Sequence, residues 1–152
     1  MADWKTAVSD LLACPICVVS NRQSRGCAVF SIFAVFAPVV AWIAHTTLGL
    51  SLTVDSWAAG MWLLLGAPIL EELLFRQALQ SGLVHRGFSP CVALVGTALV
   101  FAACHFPQAG FLCIGWIVPG LALGLMWERS GRRLIPCIVL HAWFNIVLGI
   151  SS

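Results

Sequence analysis

Glu71, Glu72 and Arg76 set two carboxylates and a guanidinium inside a stretch that otherwise reads as lipid-soluble. Ionised groups at membrane depth are costly, so they persist where they are paired or used. Glu72 and Arg76 are spaced i, i+4 and stack on one helix face, where the arginine can neutralise the second carboxylate. Glu71 lies about 100° round the same helix, free to address another group. Two further pairs have the same one-turn spacing, Phe101 with His105 and His141 with Asn145. A carboxylate can take a proton from water while a neighbouring histidine holds that water or shuttles its proton. An Asn amide and a His N–H one turn apart can donate to a tetrahedral oxyanion. These residues suit hydrolysis of a peptide carbonyl, and on their types alone a structural polar core or a proton or ion path stays open. Neither a Ser-His-Asp elbow nor an H-E-x-x-H zinc motif is present.

The elements that must carry these groups are apolar helices. The chain has 152 residues, 61% hydrophobic and 9% charged, with mean hydropathy +0.98. At roughly 20 apolar residues per span this predicts an all-α polytopic membrane protein of about five helices, with a four-helix catalytic core. Residues 1–26 read as a cytoplasmic or interfacial segment with Trp4, Lys5, Leu11, Leu12 and Val18 as anchors, and 27–152 as a single transmembrane domain. The first span covers about 27–50, tolerating Pro38. The second starts near Trp57 and runs through the Glu pair to His85-Arg86. The third covers about 90–106 and stops at the turn-like Pro107-Gln108-Ala109-Gly110. The fourth spans about 111–127 and the fifth 134–150, joined by the charged turn 128–133. The catalytic core is then about 57–150.

Lys and Arg fall between alternate spans: before the first, in 76–89 and in 128–133. The positive-inside rule places those segments and the N-terminus in the cytoplasm and the C-terminus outward. A net charge of +2 with no basic run argues against nucleic acid as a partner. Seven cysteines, most in apolar segments, do not make a disulfide framework. Cys14-Pro15-Ile16-Cys17 lacks the further ligands a structural zinc site needs. The short apolar stretch and Asp3 and Asp10 speak against a removable signal peptide.

Depth narrows the cluster. At about 1.5 Å per residue, Glu71 stands about 22 Å above Arg86, and His105 about as far from Pro90. Asn145 stands about 18 Å from Arg133, and His141 about one turn lower. The three helices meet at one level only if the second continues through Arg76, so a continuous helix is expected.

Pro68-x-x-Glu71-Glu72-x-x-Phe75-Arg76, then Phe101-x-x-x-His105, then His141-x-x-x-Asn145 resembles the motif set of the CAAX-protease and bacteriocin-processing membrane peptidases, the CPBP or Abi family. The resemblance covers about 57–150, with the three motifs in order on the second, third and fifth spans. It implies an intramembrane endopeptidase in which Glu71 with His105 activates water, His141 and Asn145 form the oxyanion hole, and Glu72 and Arg76 hold the first motif in shape. In that glutamate mechanism no cofactor is needed. The metallopeptidase alternative would use Glu71, His105 and His141 as zinc ligands. One span before the core leaves little protein for a prenyl-binding chamber. Small bacterial members similar to this chain act on C-terminal sorting tails of exported proteins. The implied partners are the lipid bilayer and the tail of a membrane-anchored protein, at a bacterial cytoplasmic membrane. A non-catalytic scaffold or ion-path protein is the reading from another class.

The remaining polar and aromatic residues have plainer expectations. His45 and His85 read as interfacial, Trp57, Trp62, Trp116, Trp127 and Trp143 as interface belts or packing, and Arg129, Arg132 and Arg133 as topology determinants. Gly120 and Gly124 have the G-x-x-x-G spacing, which permits close helix packing, within the core ahead of a dimer face.

Overall fold

In a computed structural model, residues 27–39 and 56–150 are described, with side chains as far as 148. The expectations for Cys14, Cys17, His45 and the segment 1–26 lie outside these residues, as does the far half of the first span. Among the described residues there is no strand, and five apolar helices account for nearly all of them. They are α1, Cys27–Val39; α2, Trp57–His85; α3, Pro90–Cys104; α4, Phe106–Arg129; and α5, Leu134–Ile150. Two of them, α2 with 29 residues and α4 with 24, are long and apolar enough to cross a membrane. Their most apolar windows lie mainly on the exterior, 17% and 28% buried, and the two helices carry exposed Trp57, Leu74, Phe111 and Ile114. A soluble core helix would be mostly buried; exteriors this apolar fit lipid.

The expected continuous second helix is present, but it is not uniformly wound. Trp62–Gly66 and Leu73–Gln80 are π-helical, with α-helical turns between and beyond them. Wider turns of this kind are rare and gather at functional sites. Ser56 caps the start by accepting from the Ala59 amide. Gly87, at φ +91, turns the chain toward α3, whose own start is capped by Ser89 with Pro90 in the first turn.

Arg76 lies within α2 and is fully buried, which corrects its placement among the loop charges. Arg86 is left as the positive charge of the α2–α3 connection. The turn-like Pro107–Gly110 is also more ordered than expected: Phe106–Ala109 forms a helical turn, Gly110 breaks it at φ +56, and Gly110–Trp116 winds as a 3-10 helix into the α-helical Ile117–Arg129.

Packing brings both α3 and α5 against α4, with α2 touching α3 and α5. Gly120 lets α4 approach α3 closely, since a Cβ there would sit 3.2 Å from Ala98 Cα. Gly124 faces Arg76 and Gln80. Both glycines are therefore used inside the bundle. Leu123, Met126, Trp127, Cys137 and Leu140 fill the α4–α5 seam, and Val29, Phe30 and Phe33 of α1 close it. Trp143 Nε1 donates to the Ala34 carbonyl at 3.0 Å, tying α5 to α1.

Candidate active site

Glu71 and Glu72 fall at the middle of α2, the 29-residue helix Trp57–His85. Glu72 is fully buried and uses both oxygens. Oε2 accepts from Arg76 Nε at 3.0 Å, the i, i+4 pair expected from the spacing. Oε1 accepts from His141 Nδ1 at 2.9 Å, a contact the spacing could not reveal. Because Nδ1 donates there, Nε2 is the nitrogen left for exchange, and it lies 3.6 Å from Glu71 Oε2. Adjacent residues on a helix diverge by about 100°, so the two carboxylates flank the imidazole, one at each ring nitrogen. Glu71 Oε2 is buried without a hydrogen-bond partner, although 30% of the side chain is exposed.

His105 ends α3. Its amide bonds back to Ala102, which leaves the Phe101 carbonyl without the usual helical donor. The His105 ring takes over, with Nδ1 donating to that carbonyl at 2.8 Å. Nε2 is thereby the free nitrogen, a lone pair in the neutral ring. Trp116 stacks on this imidazole, centroids 4.5 Å apart and planes at 22°. No hydrogen bond joins His105 to Glu71 among the described residues. The two motifs meet instead around the buried Phe101 ring, 4.7 Å from His105, 5.9 Å from His141 and 5.1 Å from Phe75. The Arg76 guanidinium stands 5.9 Å above it.

Asn145 is buried and its Nδ2 donates to the Leu63 carbonyl at 2.7 Å. The winding of α2 explains why that carbonyl is available. Ala67 N–H reaches back to Trp62, so in this wider register the next amide, at position 68, would serve Leu63. That residue is Pro68, which has no N–H. The side chain of α5 replaces it, leaving Asn145 one amide hydrogen and its oxygen.

Phe101, singled out by its spacing from His105, is the shared ring at the centre. Two participants were invisible in the spacing. Trp116, expected as belt or packing, stacks on His105. Gln80, passed over as a helix-compatible residue, bonds Arg76, Gly124 and Glu128 at 3.4, 3.3 and 3.1 Å.

A model of the family described as Type II CAAX prenyl endopeptidase Rce1-like matches residues 53–147, which span every one of these motif residues. The chain belongs to this family. No curated protein and no solved structure matches it. Members of the Rce1-like family are intramembrane proteases, so this Rce1-like chain is a membrane protein of protease type. The zinc alternative needs three protein donors around one ion. Among the described residues no three His, Cys, Asp or Glu side chains are placed to share an ion. His105 and His141 each commit Nδ1, to the Phe101 carbonyl and to Glu72, and each keeps Nε2 as the nitrogen through which it would hold a zinc ion.

Proposed function

We propose that the chain is a glutamate-type intramembrane endopeptidase that hydrolyses a peptide bond near the C-terminal tail of a membrane-anchored exported protein. The single observation that carries this reading is Glu71 Oε2, a buried carboxylate oxygen with no hydrogen-bond partner, 3.6 Å from His141 Nε2 in the middle of an apolar helix. Glu71, partly open to its surroundings, takes a proton from water as the oxygen attacks the scissile carbonyl carbon. The free Nε2 of His105 accepts from the same water and orients it. Two carboxylates and one guanidinium leave one negative charge, which the abstracted proton neutralises as it passes between Glu71 and His141. The tetrahedral oxyanion takes hydrogen bonds from His141 Nε2–H, once protonated, and from the remaining Asn145 amide hydrogen. Collapse breaks the C–N bond, and the stored proton leaves on the amine nitrogen. Glu72 and Arg76 keep His141 oriented throughout.

The same reading takes α1 to α5 as five spans in the cytoplasmic membrane of a bacterium, with the N-terminus and the 128–133 turn in the cytoplasm and the C-terminus outward. The site then lies in the bilayer, where the tail of an anchored substrate can reach it laterally.

Mass spectrometry of exported proteins made with and without the active chain tests the reading. A shortened C-terminus should appear with wild type and vanish in Glu71→Gln and His105→Ala, both still inserted. Continued cleavage in Glu71→Gln refutes the mechanism. Activity lost to a strong chelator, with stoichiometric zinc in the purified protein, would replace the glutamate reading by the metal one. Proton flux through liposomes without any cleavage would favour the ion-path class.

A further inference from the structure

We propose that Gln80 is a positioning residue: it clamps Arg76 and, through Arg76 and Glu72, sets the direction of the His141 imidazole, an inference resting on the hydrolytic role proposed for that site. Gln80 follows Arg76 by one turn on the stripe that carries Glu72 and is fully buried. Its amide is committed on both sides. Oε1 accepts from Arg76 Nη1 at 3.4 Å, and Nε2 donates to the Gly124 carbonyl at 3.3 Å and to Glu128 Oε1 at 3.1 Å. The amide orientation follows from the partners, since a guanidinium only donates and a carbonyl only accepts.

The series is unbroken from His141 Nδ1 through Glu72, Arg76 and Gln80 to Glu128, whose other oxygen accepts from Arg132 at 3.4 Å. Held by Glu72 alone, the guanidinium could turn about its single short contact. Gln80 supplies a second point that fixes its plane. That plane sets the Glu72 carboxylate, which sets the Nδ1–H direction, which aims Nε2 at Glu71. Small displacements of such groups have large kinetic effects. The fourth helix leaves room for the clamp: a Cβ at Gly124 would lie 3.1 Å from Gln80 Oε1 and 3.2 Å from Arg76 Nη1.

The test uses the full chain in detergent micelles, with histidine carrying the NMR-active nitrogen isotope and the His141 signals assigned by their loss in His141→Gln. Gln80→Glu keeps the size and an acceptor for Arg76, but draws the guanidinium from Glu72 and sets a carboxylate against Gly124 and Glu128. The His141 ring signals should shift, then return toward wild type in Gln80→Glu combined with Glu128→Gln, where amide and carboxylate have changed places. In proteoliposomes with a quenched fluorogenic peptide ending in an apolar tail as probe, kcat should fall roughly tenfold while KM stays within about twofold. The pH profile of kcat should move, and the double variant should recover both. His141 signals and pH profile unchanged in folded Gln80→Glu overturn the proposal, even where the yield of folded protein drops. If Gln80→Glu does not accumulate, Gln80→Asn, one methylene too short, is judged by the same signals. Failure of the hydrolytic reading looks different: Glu71→Gln would still cleave while the His141 shifts remain.

Discussion

Removing the side-chain amide in Asn145→Ala separates what that residue holds from the oxyanion role proposed for it. Its Nδ2 is 2.7 Å from the Leu63 carbonyl, and that carbonyl has no backbone donor because position 68 is proline. Leaving a buried acceptor bare costs about 1–3 kcal/mol, and coupling energies of hydrogen bonds between membrane helices average about 0.6 kcal/mol with a maximum of about 1.7. Asn145→Ala should therefore destabilise the protein by about 2 kcal/mol in a reversible unfolding titration in micelles or bicelles. Pro68→Ala provides the complementary change, because the wider winding points an amide at position 68 toward Leu63. In that background the same Asn145→Ala should cost about 1 kcal/mol less, a coupling that the double-mutant cycle isolates from the packing lost with the proline ring. Equal costs in both backgrounds would refute the bare-carbonyl account. Turnover gives the second half. An oxyanion donor removed should lower kcat by about 10²–10³, and no backbone amide on α2 can restore it, so kcat should stay low in the double variant. Recovery of both stability and kcat would make Asn145 a structural tie alone.

Glu72→Gln and Glu71→Gln should part company: the first strips the partner from a buried arginine, costs about 3–5 kcal/mol and should nearly abolish accumulation on membrane immunoblots, whereas the second should accumulate normally without cleaving. Gly124→Ala should destabilise by about 1–3 kcal/mol because the new methyl meets Gln80, Arg76 and Leu94, while Gly96→Ala, with open space at its Cβ, should be neutral or stabilising by about 0.5–1 kcal/mol in the same titration. Trp116→Ala should release His105 and lower the cleavage rate roughly tenfold, with Trp116→Phe retaining most of it; equal rates in both variants and wild type would remove Trp116 from the site.

What could be read from the sequence was what depends on regular spacing. The Glu72–Arg76 pair, the helix running on through Arg76 and the use of Gly120 and Gly124 inside the bundle all follow from α-helical periodicity and from the cost of bare charge in lipid. What could not be read depends on departures from regularity or on neighbours far along the chain. The π turns follow no residue pattern that a hydropathy reading detects, so the open carbonyl at Leu63 was invisible, and Asn145 looked wholly free. The Glu72–His141 bond joins positions 69 residues apart, with nothing local to announce it. Trp116 resembled any interfacial tryptophan until the break at Gly110 swung its segment back over His105. Gln80 carries no charge, so it raised no question of burial until its three partners were placed around it.

The proline-bared carbonyl on α2 also has a meaning in time. A ribosome delivers α2 to the membrane well before α5 exists, and until α5 docks, Leu63 lacks its donor and Glu72 its histidine. The half-made protein thus holds an arginine–carboxylate pair with nothing to share its second oxygen. Arrival of α5 supplies Asn145 and His141 together, so on the proposed hydrolytic reading the event that completes the helix bundle also completes the site.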